Sequence, residues 1–255
     1  MGEIKLGISN LAWDNTNNIK IFEILKDNNI NYIEIVLPKF LIWNNLELKN
    51  VLSFIEEAYK YKLYVLSTQS IMFNSNIDNF HTKDFLMHIE KVSKICFELG
   101  INKIVLGAPT LRKLNKDFDL IKNFHYINKV LEDNKQILLI EPNSKIYGGN
   151  YFYTIEEIST MLYENKFSNI SSMIDIHNSL LEGEDPSTQL QIYQNIIQHI
   201  HVSEIGLGDF IESTTHNNMA KSIKHINYNN LVIYESKPST NLIKSIKSFN
   251  KIYNI

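Results

Sequence analysis

Four apolar runs in the second half of the chain end on residues that could do chemistry. ILLI is followed by Glu141, SSMI by Asp175 and LVIY by Glu235, while HIHVS carries His201. From 141 to 175, 175 to 201 and 201 to 235, each interval is about one strand-plus-helix unit, so the four side chains recur in phase. On consecutive parallel strands they would converge at one end of the sheet. Charged groups beside apolar strands are costly unless they are paired or hold a metal. Three carboxylates and one imidazole form an oxygen-rich donor set for one divalent ion (Mn, Mg, Co, Fe or Zn), with positions left open for substrate or water. One glutamate at a strand end is ordinarily a capping or salt-bridging residue. The phase of four is what points to a shared site.

The elements that must position these residues alternate along the whole chain. Short β-branched runs at 4–9, 32–36, 63–68, 103–108, 137–141, 171–175, 199–203 and 231–235 read as strands. Between them, segments at 18–29, 47–62, 83–100, 118–133, 154–165, 187–198, 217–227 and 241–253 space their apolar residues by three and four, as Val51, Phe54, Ile55 and Ala58 do. Strands this apolar suit an all-parallel sheet covered by helices. Eight such units in 255 residues predict an α/β chain forming a single (β/α)₈ TIM barrel, one domain over 1–255. The turn after the first strand, SNLAWD, lacks a glycine-rich phosphate fingerprint, which weighs against a dinucleotide-binding sheet.

The chain resembles the xylose isomerase-like TIM-barrel superfamily, in particular its sugar phosphate isomerase/epimerase branch. The likeness is carried by LGISNLAWD (6–14), YIEIVLPK (32–39), STQSIMF (67–73), IEPNSKIYGGNYF (140–152), MIDIHNSLLEGED (173–185), HIHVSE (199–204) and YESKPS (234–239), and so spans nearly the full length. The resemblance implies a divalent metal held by Glu141, Asp175, His201 and Glu235, with Glu141 and Glu235 also moving protons on opposite faces of a sugar. A proton α to a carbonyl is too weakly acidic for a carboxylate to remove unaided. A metal-stabilised enediolate makes the removal feasible, and a second carboxylate can return the proton to give an epimer.

The departures from that family's pattern are as informative. Its epimerases carry a histidine three residues beyond the strand-six aspartate, where this chain has Asn178, with His177 just before it. They carry an arginine six beyond the strand-seven histidine, where Leu207 stands, and a glutamate six beyond the strand-five ligand, where Tyr147 stands. Candidate substrate contacts are Asn10, Trp13, Gln69, Asn143, His177, Asn178 and Glu204. Trp13 is read either as an apolar wall for a sugar's carbon face or as a core or interface residue. Asn143 and Glu204 are placed beside the ligands as groups that could orient them. Glu34 either binds a sugar hydroxyl or satisfies a partner inside the barrel, and Lys39 reads as a solvated lysine. His81, His88, His125, His216 and His225 are expected at the surface.

A formal net charge of −3 gives no electrostatic footprint for nucleic acid or an anionic membrane. The single cysteine, Cys96, cannot form an internal disulfide and reads as a buried structural thiol. No secretory signal or membrane-spanning run is apparent, so a cytoplasmic location is expected. The expected partner is a small-molecule carbohydrate; self-association is left open. The leading reading is a metal-dependent sugar or sugar phosphate isomerase/epimerase. The alternatives are a metal-dependent keto-polyol dehydratase, a lyase, and a non-catalytic sugar- or metal-binding barrel. A DNA-repair nuclease would need further histidines at the ends of strands two to four, which close on Val36, Thr68 and Ala108.

Overall fold

The computed structural model of the protein describes residues 4–113 and 120–255. The strands are Lys5–Ser9 (β1), Tyr32–Val36 (β2), Tyr64–Gln69 (β3), Lys103–Leu106 (β4), Ile137–Ile140 (β5), Ile170–Asp175 (β6), Ile197–Ser203 (β7) and Leu231–Glu235 (β8). Each pairs in parallel with its sequence neighbours, and β8 closes back onto β1. The result is the expected (β/α)₈ barrel. Its pleat explains the near-continuous apolar runs. In β5, Leu138 and Ile140 face the core between sheet and helices, while Leu139 packs with Val105 of β4 and Met173 of β6 in a separate inner cluster.

Two register shifts tune this pleat. Between β2 and β3, the step from Ile33 to Glu34 is opposed by one from Val65 to Ser67, which makes Leu66 the extra residue and brings Ser67 and Gln69 into phase with Glu34. Between β6 and β7, the step from Ser172 to Ile174 is opposed by one from Ile197 to Ile200, which leaves Asp175 directly opposite His201. Bulges of this kind re-aim side chains near active sites.

The helices are Asn18–Asp27 (α1), Lys49–Lys60 (α2), Lys83–Glu98 (α3), Leu120–Asp133 (α4), Ile155–Asn165 (α5), Ile176–Leu181 (α6), Pro186–Ile192 (α7), Thr214–His225 (α8) and Leu242–Tyr253 (α9). Hydroxyl side chains start three of them. Thr82, Thr154 and Ser213 accept from the backbone N–H of Phe85, Glu157 and His216, which satisfies donors a helix start leaves open. Along α3, Phe85, Ile89, Val92 and Cys96 form the buried stripe, and burial raises the Cys96 thiol pKa far above its usual value.

Three expectations need correction. The helix read at 187–198 stops at Ile192, because Ile197 and Gln198 already belong to β7. The helix α6 falls outside the expected helices: the chain turns helical at once after Asp175, so His177 stands in a helix. His81, His88 and His216 are buried. His88 Nε2 lies 2.7 Å from the carbonyl of Ile71, and His216 sits between Glu204 Oε1 and the Tyr253 hydroxyl, at 2.9 and 2.8 Å. The first two residues of the helix expected at 118–133 lie outside the described residues.

Candidate functional site

The four in-phase residues meet at the C-terminal end of the barrel. Glu141 is the first residue past β5, with its N–H still on the Leu106 carbonyl at 3.2 Å. Asp175 and Glu235 end β6 and β8, and His201 lies within β7. His201 Nδ1 is 3.5 Å from Glu141 Oε1 and 3.4 Å from Glu235 Oε2. Ligand atoms of Glu141, Asp175 and His201 all fall within 4.8 Å of one another.

Beneath them, Glu34 reaches across the barrel from β2 to β7. Its Oε1 accepts from His201 Nε2 at 2.7 Å, and its Oε2 lies 2.9 Å from His199 Nε2. These strands are not sheet neighbours, so the contact runs through the interior, and all three side chains are buried. Of the two readings of Glu34, the interior partner is the one observed. With the His201 Nε2 proton given to Glu34, Nδ1 is left facing the carboxylates, and a histidine that binds metal needs its other nitrogen tied down in this way.

The remaining groups hold the carboxylates in place. Asp175 Oδ1 accepts from the backbone and side-chain amides of Asn178, at 2.7 and 3.0 Å, and Oδ2 accepts from the Ser203 hydroxyl at 2.6 Å. Asp175 thereby ends β6 and caps α6 with one side chain. Asn143 Nδ2 donates to Glu141 Oε2 at 3.0 Å. Gly107, just past β4, leaves room for the same carboxylate, since a Cβ there would overlap Glu141 Oε2 and displace it. Buried Arg112 donates to the main-chain carbonyls of Glu141 (2.7 Å), Phe152 (2.9 Å), Gly107 (3.0 Å) and Leu106 (3.1 Å), fastening the ends of β4 and β5 together. Gly107 and Arg112 were not read from the sequence. The strand ending LGAP was the available cue for the glycine; the arginine had none.

Electrostatics mark the cluster as strained without a cation. Burial, reinforced by Glu141 and Glu235, pushes Asp175 up to about 7. Burial would also raise Glu141, but its contact with His201, helped by Asn143 and Arg112, carries it below the usual carboxylate range. Burial opposes charge on His201, yet Glu34 and Glu235 outweigh it and raise the imidazole well above its ordinary pKa. His199, lowered to about 4 by burial despite Glu34, stays neutral. His201 Nδ1 is buried, makes no hydrogen bond and is aimed at carboxylates. The ligand atoms of Glu141, Asp175 and His201, with Glu235 beside the imidazole, make a donor set whose chemistry would fit a divalent cation. Glu34, His199 and His201 also lie within 4.8 Å of one another, but both Glu34 oxygens already face imidazoles, which makes this trio the support of the first.

A cleft of about 500 Å³ opens from Glu141 between the loops after β3 and β4. Gln69 lines it and donates to Ser9 Oγ at 2.7 Å. His177 and Asn178, on α6, border the cluster: Tyr147 hydroxyl lies 3.3 Å from His177 Nε2, and Asn178 Oδ1 accepts from the Ser144 N–H at 3.1 Å. The other sequence candidates are held by partners of their own. Asn10 is buried, and its Oδ1 accepts from the Val36 N–H at 2.7 Å. Trp13 is packed in the core, with its indole N–H on Asn18 Oδ1 at 2.8 Å, and borders a separate groove against α1 and residues 238–243. Glu204 is held by His216 and by the Ile211 N–H at 2.8 Å. Lys39 is not a free surface amine, since it donates to the carbonyls of Asn10 and Trp13 at 2.6 and 2.5 Å.

Among the described residues, no helix is long and apolar enough to cross a membrane. Among proteins of curated function, none matches the chain by sequence. Solved structures of the same fold do. The 3-keto-D-glucoside 4-epimerase of E. coli is 16% identical over 98% of this chain and 100% of its own, with a TM-score of 0.77. D-allulose 3-epimerase of Methylomonas sp. is 13% identical over 100% of this chain and 96% of its own, with a TM-score of 0.73. A probable 3-DHS dehydratase of Bacillus anthracis is 14% identical over 99% of both chains, with a TM-score of 0.70. At these identities the likeness is one of fold. The sequence model of the family described as xylose isomerase-like TIM barrel matches residues 22–252, and the chain belongs to that family.

Proposed function

We propose that the protein is a divalent-metal-dependent sugar isomerase or epimerase that moves a proton at a carbon next to a carbonyl. The observation that supports this best is the convergence of Glu141, Asp175 and Glu235 on a His201 nitrogen that Glu34 orients from behind. The fold is shared with keto-sugar epimerases. When bound, the cation supplies a Lewis acid for the substrate carbonyl. Glu141, held ionised by its neighbours, is the base that removes the α-proton, through an oxygen that Asn143 and Gly107 keep in place. Glu235, on the other flank of His201 Nδ1, returns a proton. His177, Asn178 and the Tyr147 hydroxyl form the substrate edge on the Asp175 side.

The test is solvent-deuterium incorporation into keto-sugars, followed by NMR with Mn²⁺ present. Metal-dependent exchange that Glu141→Gln and Glu235→Gln abolish is the expected result; exchange untouched by both variants overturns the proton relay. One observation favours a second reading, dehydration. The Tyr147 hydroxyl, 3.3 Å from His177 Nε2 beside the cluster, could donate to a departing β-hydroxyl. A product lighter by one water distinguishes it.

A further inference from the structure

The cleft that opens from Glu141 differs in character from the cluster it leads to. Its described lining carries no positively charged side chain, and Glu141 is its one ionisable group. Neutral hydrogen-bonding groups, among them Gln69, Asn74, Asn76 and Thr110, alternate with the apolar Met72 and Phe73. Among the described residues, the cations near this half of the rim are either committed elsewhere or outside the lining. The Arg112 guanidinium is spent on four carbonyls, and the Lys39 amine on two. Lys113 is exposed and outside the lining, and Lys145 and Lys237 belong to the loops after β5 and β8. Even with a divalent cation bound, three carboxylates leave the site negative. A phosphate or carboxylate on the substrate would meet like charge in this cleft and, among the described residues, no cationic partner.

Size and chemistry point the same way. At about 500 Å³, the cleft lies within the ~300–1,000 Å³ range of pockets that enclose drug-sized ligands, and of the cluster only Glu141 lines it. Asn143 Oδ1, close to the lining residue Gly107, is buried and has no hydrogen-bond partner, so it can accept from a hydroxyl. Phe73, 64% exposed on the lip, offers a flat apolar face of the kind that packs against the carbon side of a sugar ring.

We propose that the substrate is an uncharged keto-sugar carrying a second ring or aglycone, with the reacting carbon between Glu141 and Glu235 and the substituent in the cleft. This rests on the enolisation reading above. The experiment compares 3-ketosucrose, D-fructose and D-fructose 6-phosphate as probes of the Mn²⁺-loaded protein. Deuterium exchange is read by NMR, and binding by titration calorimetry. The expected result is kcat/KM for exchange at least about tenfold higher on 3-ketosucrose than on D-fructose, with no binding of the phosphate. Phe73→Ala then raises KM for 3-ketosucrose several-fold and leaves kcat unchanged. Equal or faster exchange of either fructose probe overturns the inference and leaves enolisation standing. Binding of 3-ketosucrose without exchange of any probe overturns enolisation and leaves only the placement of the substituent in the cleft. No binding of 3-ketosucrose, or a Phe73→Ala variant with unaltered KM, overturns the placement in the cleft.

Discussion

The two halves of the barrel rim are built from different materials. At the ends of β5 to β8 stand Glu141, Asp175, His201 and Glu235, a set of charges packed against apolar strands. Around the ends of β3 and β4 stand Gln69, Ser70, Gly107 and Ala108, neutral groups bordering an open cleft. Each half is destabilised in its own way. In the charged half, burial together with crowding by like carboxylates lifts Asp175 to about 7. In the neutral half the backbone bears the strain: Ser70, Asn74, Asn76 and Ala108 all take left-handed conformations, with φ between 56° and 60°, and all line the cleft. Buried charge suits holding a cation and moving protons; a shaped, uncharged loop surface suits recognition. The halves meet at two points. Gly107 makes room for Glu141, and Glu34, the carboxylate of β2, turns its charge down to His199 and His201 instead of up to the cleft.

If chemistry is confined to the charged half, Glu141→Gln and Glu235→Gln should each lower exchange on an identified substrate by ~10²–10⁴-fold, the usual contribution of a positioned acid or base. Circular dichroism should be unchanged. Gly107→Ala tests the first meeting point. Its methyl displaces Glu141 Oε2, and a misplacement near 1 Å can cost about a hundredfold in rate. Because the displaced atom is the end of a flexible side chain, the melting temperature should change little. A Gly107→Ala protein with native turnover would show that the neutral half does not constrain the base.

Glu34→Gln probes the second meeting point. Losing the ionised partner of His201 Nε2 should weaken Mn²⁺ binding by ~10–100-fold in calorimetry, the range for groups that orient a metal's histidine. Unchanged affinity would make the two halves independent and break the comparison at that point.

How legible all this was in the sequence follows the same division. The charged half could be read because its residues are rare at strand ends and recur in phase, so Glu141, Asp175, His201 and Glu235 stood out together. The barrel could be read because both periodicities, two in strands and three to four in helices, persist over the whole chain. The supports were harder. Glu34 looks like any inward residue of an apolar strand until its partners 165 or more positions away are known, and Arg112 acts on main-chain carbonyls that no residue type announces. The helix α6 did carry a signal: Asp175 precedes IHNSLL, an acidic N-cap before a helix-forming run, but the strand pattern ending on the same residue hid it. The buried histidines were misplaced because burial of a neutral imidazole depends on one tertiary acceptor, such as the Ile71 carbonyl for His88.

The comparison can also be carried down the barrel, to a charge that serves neither half. Lys103, at the start of β4, reaches across the interior to the Gln198 carbonyl on β7 and to Asn230 Oδ1. Burial, with Lys5 adding repulsion, lowers its pKa to about 8 from 10.5. Between those values the unfolded chain holds a proton that the folded protein has released, so stability rises with pH across that window. Below about pH 8 both states are charged, and the full penalty of the buried ammonium is present. Relative to Lys103→Met, the wild-type protein should therefore gain on the order of 2 kcal/mol between pH 7 and pH 9.5. Denaturation curves of both proteins at each pH give the value as a difference, which cancels the tyrosines that titrate in both. Exchange at pH 7 should be equal in the two, because Lys103 lies at the opposite end of the strands from Glu141. A flat difference would mean that Lys103 keeps its proton in the fold, sustained by its two acceptors, and a change in exchange would mean that the interior transmits strain from the floor of the barrel to the rim.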